Sequence, residues 1–371
     1  MLLSVLPDWD AIGGTPVSEV TVAFHGREHR VLLKREWANP SGSVKDRTAA
    51  GLLRAMHAAE PLRPGTTVIE STSGNLGIAL ARFLNAAECR FIAVIDPKTP
   101  AESRRLLRAA GAELHLVDEP DGHGGYLLSR LRVVRDLCAA HPHYRWPDQY
   151  ASPFNPLVHQ RTTGPEIAAQ GGPDLDAVYV AVSTGGTLAG ISACIRPLGR
   201  PIRLVAVDAQ SSAATSFSAS PASPAAASSA TAGAAGAARA LAAGAGSPSA
   251  RLVPGIGAGR PSSFLGPASY DRAVAVPDPA ALAMCRMFLE DTGVALGGSS
   301  GSVLTACVEE LGGPDPPRLA LCLAADHGAK YATTVYDDGW LIASGVYGAV
   351  KHAFDRYRID GLRFVLESGP F

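Results

Sequence analysis

Lys45 follows the run Asn39-Pro40-Ser41-Gly42-Ser43-Val44 and precedes Asp46-Arg47. Three later loops are rich in glycine and hydroxyl residues: Ser71-Thr72-Ser73-Gly74-Asn75, Ser183-Thr184-Gly185-Gly186-Thr187 and Gly297-Gly298-Ser299-Ser300-Gly301. A lysine amine bonds an aldehyde only after losing its proton, so it needs burial or neighbouring charge to lower its pKa. Small residues ahead of it let the backbone come close to a flat ring. Alone, Lys45 reads as a surface lysine paired with an acid, but its three companion loops reverse that reading. An aldehyde, a phosphate and a ring are the parts such a set could hold, and pyridoxal 5′-phosphate has all three.

Each loop suits one part. Ser183 to Thr187 follows an apolar strand and opens a helix, so glycine amides, hydroxyls and a helix N-terminus could together hold a phosphate. No Gly-Lys-[Ser/Thr] follows and the spacing is not that of a dinucleotide fingerprint, which leaves a monophosphate ester as the expected guest. Thr72, Ser73 and Gly74 could hold a substrate carboxylate, and the Asn75 amide could reach a ring hydroxyl. Thr72 or Ser73 could equally cap a helix. Ser299 could hydrogen-bond a ring nitrogen without fully protonating it, which suits elimination of a β-substituent.

Strand-like and helix-like segments alternate around these loops. Strands are expected at 67–70, 90–95, 113–117, 177–182, 203–207 and 318–323, and helices at 76–85 and 102–111. This order implies an α/β fold of open, twisted, mostly parallel sheets flanked by helices, with ligands at the carboxyl ends of strands. The chain has 371 residues, longer than a typical single domain. The expected division is a large cofactor-binding domain, 1–38 plus 155–371, and a smaller mobile domain, 39–154. From 211 to 250 the sequence is almost entirely Ala, Ser, Gly and Pro, and is read as a mobile surface insertion.

Charge is balanced, with 33 basic and 34 acidic residues, which argues against binding to nucleic acid or an anionic membrane. Six scattered cysteines show no zinc-site spacing and are expected to be buried free thiols, with no metal. No apolar run reaches membrane-spanning length and the start lacks a basic signal region, so a soluble cytoplasmic protein is expected.

The motifs around Lys45, Asn75, Ser183 and Ser299, with Thr162-Thr163-Gly164-Pro165-Glu166-Ile167, resemble the cysteine synthase/cystathionine β-synthase family of fold-type II pyridoxal-phosphate enzymes. The similarity runs from Ile12-Gly13-Gly14-Thr15-Pro16 to about Tyr336. It implies that Lys45 bonds the cofactor and serves as general base, and that Asn75 contacts the ring hydroxyl. It also implies that Ser183, Thr184, Gly185, Gly186 and Thr187 hold the phosphate and Ser299 faces the ring nitrogen. Thr72, Ser73, Gly74 and Gln149 would hold the substrate carboxylate, and a homodimer is implied. The segments Pro254 to Arg260, Gln149-Tyr150 and Tyr331 to Trp340 look like the siderophore-type 2,3-diaminopropionate branch. That branch joins O-phospho-L-serine and L-glutamate, releasing phosphate, and Arg260 could face that phosphate or stand exposed in its loop.

Three departures bear on this resemblance. Leu76 stands where the family's turn commonly has threonine, Asp326 to Tyr331 replaces a Gly-Glu-Arg-Tyr ending, and the insertion precedes the region expected to close over substrate. A cysteine synthase using sulfide is the alternative activity. A catalytically inactive binding or regulatory subunit is the alternative of another class, opposed by intact Lys45, Asn75, Thr187 and Ser299. His159 is expected to brace a helix start, Tyr150 to pack, and His141 to His143 to form an exposed turn.

Overall fold

A computed structural model describes residues 11–122, 125–210, 212–216 and 251–367. Its strands are β1 (Val17–Phe24), β2 (Arg27–Arg35), β3 (Thr67–Ser71), β4 (Arg90–Ile95), β5 (Ala112–Leu116), β6 (Ala177–Ala181), β7 (Arg203–Ala209), β8 (Arg272–Val276), β9 (Ala320–Ala324) and β10 (Arg363–Leu366). The first helices are α1 (Lys45–Ala59), α2 (Asn75–Ala86), α3 (Ala101–Ala109), α4 (Leu127–Ala140), α5 (Phe154–Arg161) and α6 (Thr163–Gln170). Then come α7 (Gly186–Ile195), α8 (Asp278–Thr292), α9 (Gly298–Leu311), α10 (Asp338–Ala343) and α11 (Tyr347–Ile359).

Two sheets result. One has seven strands in the order β10-β1-β2-β9-β6-β7-β8, and the other has three in the order β3-β4-β5. Every pairing is parallel except those of β1 with β2 and with β10, so β1 alone runs against its sheet. β1 and β2 form a hairpin through His25 and Gly26, both at positive φ (49° and 73°), as a two-residue turn of matching twist requires. The expected strands all form, within a few residues of their predicted bounds. β1, β2, β8 and β10 add to them.

Side-chain alternation sorts the large sheet's residues between two cores. Val178, Val180, Leu204 and Ala206 pack with Ile167, Leu188 and Ile191 of α6 and α7. Their neighbours Tyr179, Val205 and Val207 pack on the other side with Met284, Phe288 and Val303 of α8 and α9. Burial on both faces is why these strands read as continuous apolar runs. In the small sheet, Phe91 and Ala93 join Leu53 and Leu80 of α1 and α2, while Ile92 and Val94 join Val134 of α4.

α1, which begins at Lys45, is anchored two residues later by a buried charge cluster. Arg47 donates from Nε and Nη2 to Glu36 (2.7 and 2.9 Å) and from Nη1 and Nη2 to Glu166 (2.7 Å each). Lys34 Nζ donates to Glu166 (2.8 Å), Gln170 (2.8 Å) and the Thr15 carbonyl (3.0 Å). Gly13, at φ +96°, admits the guanidinium, since a Cβ there would stand 2.8 Å from Arg47 Nη1. Two cations thus face two carboxylates with their donors matched, and removing one partner of such a set costs about 3–5 kcal/mol. The Gly-Gly-Thr and Thr-Thr-Gly-Pro-Glu motifs therefore serve as an anchor behind α1.

The alanine- and serine-rich insertion starts later than its composition suggests. Residues 212–216 pack: Ser212 Oγ accepts the Ala258 N–H (2.9 Å), Thr215 Oγ1 donates to Asp208 (3.0 Å), and Ala214 is buried. Small residues pass for linker in composition, but here Ala214 joins the core that Val180 and Leu188 build. The remainder of that expectation, at 211 and 217–250, lies outside the described residues. No helix among the described residues is long and apolar enough to cross a membrane.

Candidate active site

The strand order reverses between β9 and β6, because the chain goes outward through β7 and β8 and returns to the far side of β6. Such a switch opens a crevice at the carboxyl ends of the strands. A cavity of about 750 Å³ lies there, lined by Ala181, Ser183 and Ala325, which follow or end β6 and β9.

Lys45, Asn75, Ser183, Thr184, Gly185, Thr187 and Ser299 all reach its wall. So do Thr72, Ser73, Gly74 and Gln149. Lys45 is presented by a loop that its neighbour shapes: Asp46 accepts N–H groups from Ser41 (2.7 Å) and Ser43 (3.2 Å). Burial lowers the Lys45 amine from 10.5 to about 8, bringing the unprotonated form within reach near neutral pH.

The 183–187 loop is held from behind. Gly185 sits at φ +88°, and a Cβ there would strike Ser262 Oγ at 2.1 Å. Thr184 Oγ1 receives Asn155 Nδ2 (3.3 Å), and Ser183 Oγ donates to the Gly257 carbonyl (3.3 Å). Thr187 Oγ1 lies 3.3 Å from His159 Nε2, which is also 3.1 Å from Thr48, while His159 Nδ1 lies 2.9 Å from Thr163. Burial, then the charge of Lys45, drives the imidazole pKa well down, so His159 is a neutral brace between α1, α6 and the loop. Gly186 opens α7 and does not itself border the cavity. It faces the protein interior, where a Cβ would meet Asn155 Oδ1 at 2.2 Å.

The opposite wall belongs to the small sheet. Thr72 Oγ1 accepts the Gly77 N–H (3.0 Å), so it serves the start of α2 as well as facing the cavity; Ser73 forms no cap bond. Gln149 Nε2 donates to the Ser71 carbonyl (2.9 Å) and its backbone N–H goes to Glu70 (3.0 Å). Glu70 is fully buried, and burial pushes its carboxyl up to about 8 despite N–H donors from Gln149 and Trp146.

Arg260 borders a small recess adjoining the cavity rather than the cavity itself, with its guanidinium 5.3 Å from the centroid of the Tyr150 ring, and Tyr150 borders both. The arginines on the cavity wall are Arg130 and Arg251. Arg130 is buried and 3.4 Å from Asp96, yet its Nε and Nη1 have no hydrogen-bond partner among the described residues. Arg251 Nη1 is likewise buried and has no partner among the described residues. Gly257 makes room for it, since a Cβ there would lie 3.0 Å away. Arg130 did leave a trace in the sequence, falling with Leu127, Leu131 and Val134 on one apolar helical stripe. Arg251 left none. Charge on the wall is uneven: Lys45, Lys98, Arg130 and Arg251 face it against Asp96.

The arrangement fits pyridoxal phosphate: an amine of lowered pKa, a helix N-terminus with hydroxyls for a phosphate, and Asn75 and Ser299 on the remaining walls. Comparison with known proteins agrees. The family described as pyridoxal-phosphate dependent enzyme matches residues 9–324. N-(2-amino-2-carboxyethyl)-L-glutamate synthase of Ralstonia nicotianae is 36% identical, over 96% of this chain and 98% of its own. The protein of that name from Cupriavidus metallidurans is 35% identical, over 92% and 93%. The crystal structure of an O-ureido-L-serine synthase superposes with a TM-score of 0.72 at 28% identity, covering 90% of this chain and 98% of that one. The chain therefore belongs to the pyridoxal-phosphate-dependent enzymes of fold type II, and it is an enzyme of β-replacement.

Proposed function

We propose that this enzyme replaces the phosphate of O-phospho-L-serine with the amine of L-glutamate, giving N-(2-amino-2-carboxyethyl)-L-glutamate for 2,3-diaminopropionate biosynthesis. The observation that carries this reading is the cationic wall, with two arginines holding unpartnered N–H groups. A buried donor without an acceptor is costly unless a ligand supplies one. A phosphate leaving group and a dicarboxylate acceptor supply several, whereas acetate and sulfide supply few. The activity for which the two synthase relatives are named points the same way.

When bound, pyridoxal phosphate supplies an electron sink that makes the substrate α-proton acidic and lets the β-substituent leave. In this reading Lys45 Nζ takes that α-proton and later returns it, a role suited to an amine near pKa 8. Thr72, Ser73, Gly74 and Gln149 hold the substrate carboxylate, and Ser183, Thr184, Gly185 and Thr187 hold the cofactor phosphate. Gly186 serves that loop by packing. Arg130 takes the leaving phosphate in place of Arg260, because it lies on the cavity wall and has two unpartnered nitrogens to Arg251's one among the described residues. The segment 39–154 acts as the mobile domain that excludes water by closing on 1–38 plus 155–371, and the working form is a cytoplasmic homodimer.

The deciding experiment incubates the loaded enzyme with O-phospho-L-serine or O-acetyl-L-serine, each against L-glutamate and sulfide. Phosphate release that depends on glutamate, with the product's mass, is the expected outcome. Efficient use of O-acetyl-L-serine and sulfide, with none of O-phospho-L-serine, would hand the enzyme to the cysteine synthase reading.

A further inference from the structure

Beneath Asn75 lies a charge pair that the reading above leaves without a task. Asp326 is buried, and its Oδ2 accepts three donors: Tyr331 Oη at 2.6 Å, Asn75 Nδ2 at 2.8 Å and Lys330 Nζ at 3.1 Å. Lys330 Nζ also donates to Asn75 Oδ1. The same aspartate joins the loops that carry the site. Its backbone pairs with Ser43, two residues before Lys45, and its carbonyl accepts the Gly297 N–H (3.1 Å), two residues before Ser299. Gly297 is needed for this, since a Cβ there would fall 1.7 Å from Asp326 Oδ1.

The two ends of an amide have nearly the same shape, and only their partners decide which way it points. An ammonium only donates and a carboxylate only accepts. Lys330 on Oδ1 and Asp326 on Nδ2 therefore allow the Asn75 amide one orientation. Asn75 shares the cavity wall with Lys45, so that orientation is what the cofactor meets. Lys330 also offsets the Asp326 charge, which would otherwise stand buried and unbalanced behind Asn75.

We propose that Lys330 is a positioning residue for the cofactor: with Asp326 it fixes the Asn75 amide and sets the charge behind it. The other titratable groups facing Asp326 are the Tyr331 and Tyr336 phenols, the Cys285 thiol and the imidazole of His327.

The inference rests on the cofactor assignment but not on the choice of substrates. Its test is the visible absorption band of the loaded enzyme, titrated with pH in the absence of substrate. Lys330→Met keeps the stem and removes the charge. An uncompensated Asp326 then favours a protonated Lys45–cofactor linkage, so the titration midpoint should rise by about one unit. Cofactor affinity should fall about tenfold, the size of one lost charge-assisted bond. Lys330→Arg should restore both most of the way. Melting of the unloaded variants checks the fold, and Lys330→Gln serves if the methionine variant does not fold. A midpoint and affinity unchanged in the folded neutral variant would overturn the proposal. A wild-type protein with no band would instead overturn the cofactor assignment.

Discussion

Two sets of buried arginine and acid lie on either side of α1's start, and they are built differently. Behind α1, Arg47 has its donors matched by Glu36, Glu166 and Thr15. In the cavity, Arg130 lies near Asp96 with two N–H groups unmatched, and Arg251 has one. The first set is closed and can only hold the fold. The second is incomplete without something else, and a buried cation short of acceptors is where an anionic ligand gains the most. Burial and charge alone do not separate anchor from site; the count of unmatched donors does.

The largest effect should come from opening the closed set. Arg47→Met leaves Glu36 and Glu166 buried without their main partner and should cost about 3–5 kcal/mol of stability, read as a fall in denaturation midpoint. A loss below about 1 kcal/mol would mean that the cluster is not the anchor it resembles. Acid should open it too. Burial would raise the Glu166 carboxyl, but the bonds from Arg47 and Lys34 outweigh this and lower it from 4.5 to about 2. Its contribution is complete above about pH 4.5 and is lost as pH falls through about 2, amounting to about 3 kcal/mol. Arg47→Met should abolish most of that acid sensitivity.

Arg130→Met should do the reverse, with a smaller loss of stability than Arg47→Met, because it removes unmatched buried N–H groups together with a loose 3.4 Å pairing to Asp96. Release of phosphate from O-phospho-L-serine should slow by roughly 10- to 150-fold, the worth of a charge-assisted contact of ~1.5–3 kcal/mol. O-acetyl-L-serine, which carries no phosphate dianion, should be affected much less. Equal losses with both donors would return Arg130 to a structural role.

A smaller effect is expected when cofactor uptake by unloaded protein is followed against pH. The rate should rise with the free Lys45 amine and level off above about 8; a midpoint near 10.5 would contradict the burial of Lys45. Arg260→Ala should be the mildest change. Stacking on Tyr150 is worth about 0.5–1 kcal/mol, so both donors should lose only about 2- to 5-fold. A selective loss with O-phospho-L-serine would restore Arg260 as the residue at the leaving group.

The loops were legible because their work is local. Gly185 must take a positive φ, and Lys45, Asn75 and Ser299 each stand at or next to the start of a helix, so type and spacing advertise them. Parallel strands buried on both faces announced themselves as apolar runs. The antiparallel margin, β1, β2 and β10, was not legible: its strands mix charged and apolar residues, and β10 meets β1 from the far end of the chain.

By itself, then, the sequence determined the cofactor, the lysine proposed to bond it and the α/β alternation, all of which rest on neighbouring residues. Tertiary structure decided which charges face the cavity and which face one another. Arg47 and Arg130 are the same residue type on the buried side of a helix. Only the arrival of Glu166 from α6, and the lack of a comparable acid opposite Arg130 Nη1 among the described residues, makes one an anchor and the other a candidate ligand site. Likewise Lys330 acquires a part in the site only because Asp326 and Asn75, 251 positions apart, meet beneath the cavity. Electrostatic partnership depends on distance in space, and a linear chain records no such distance.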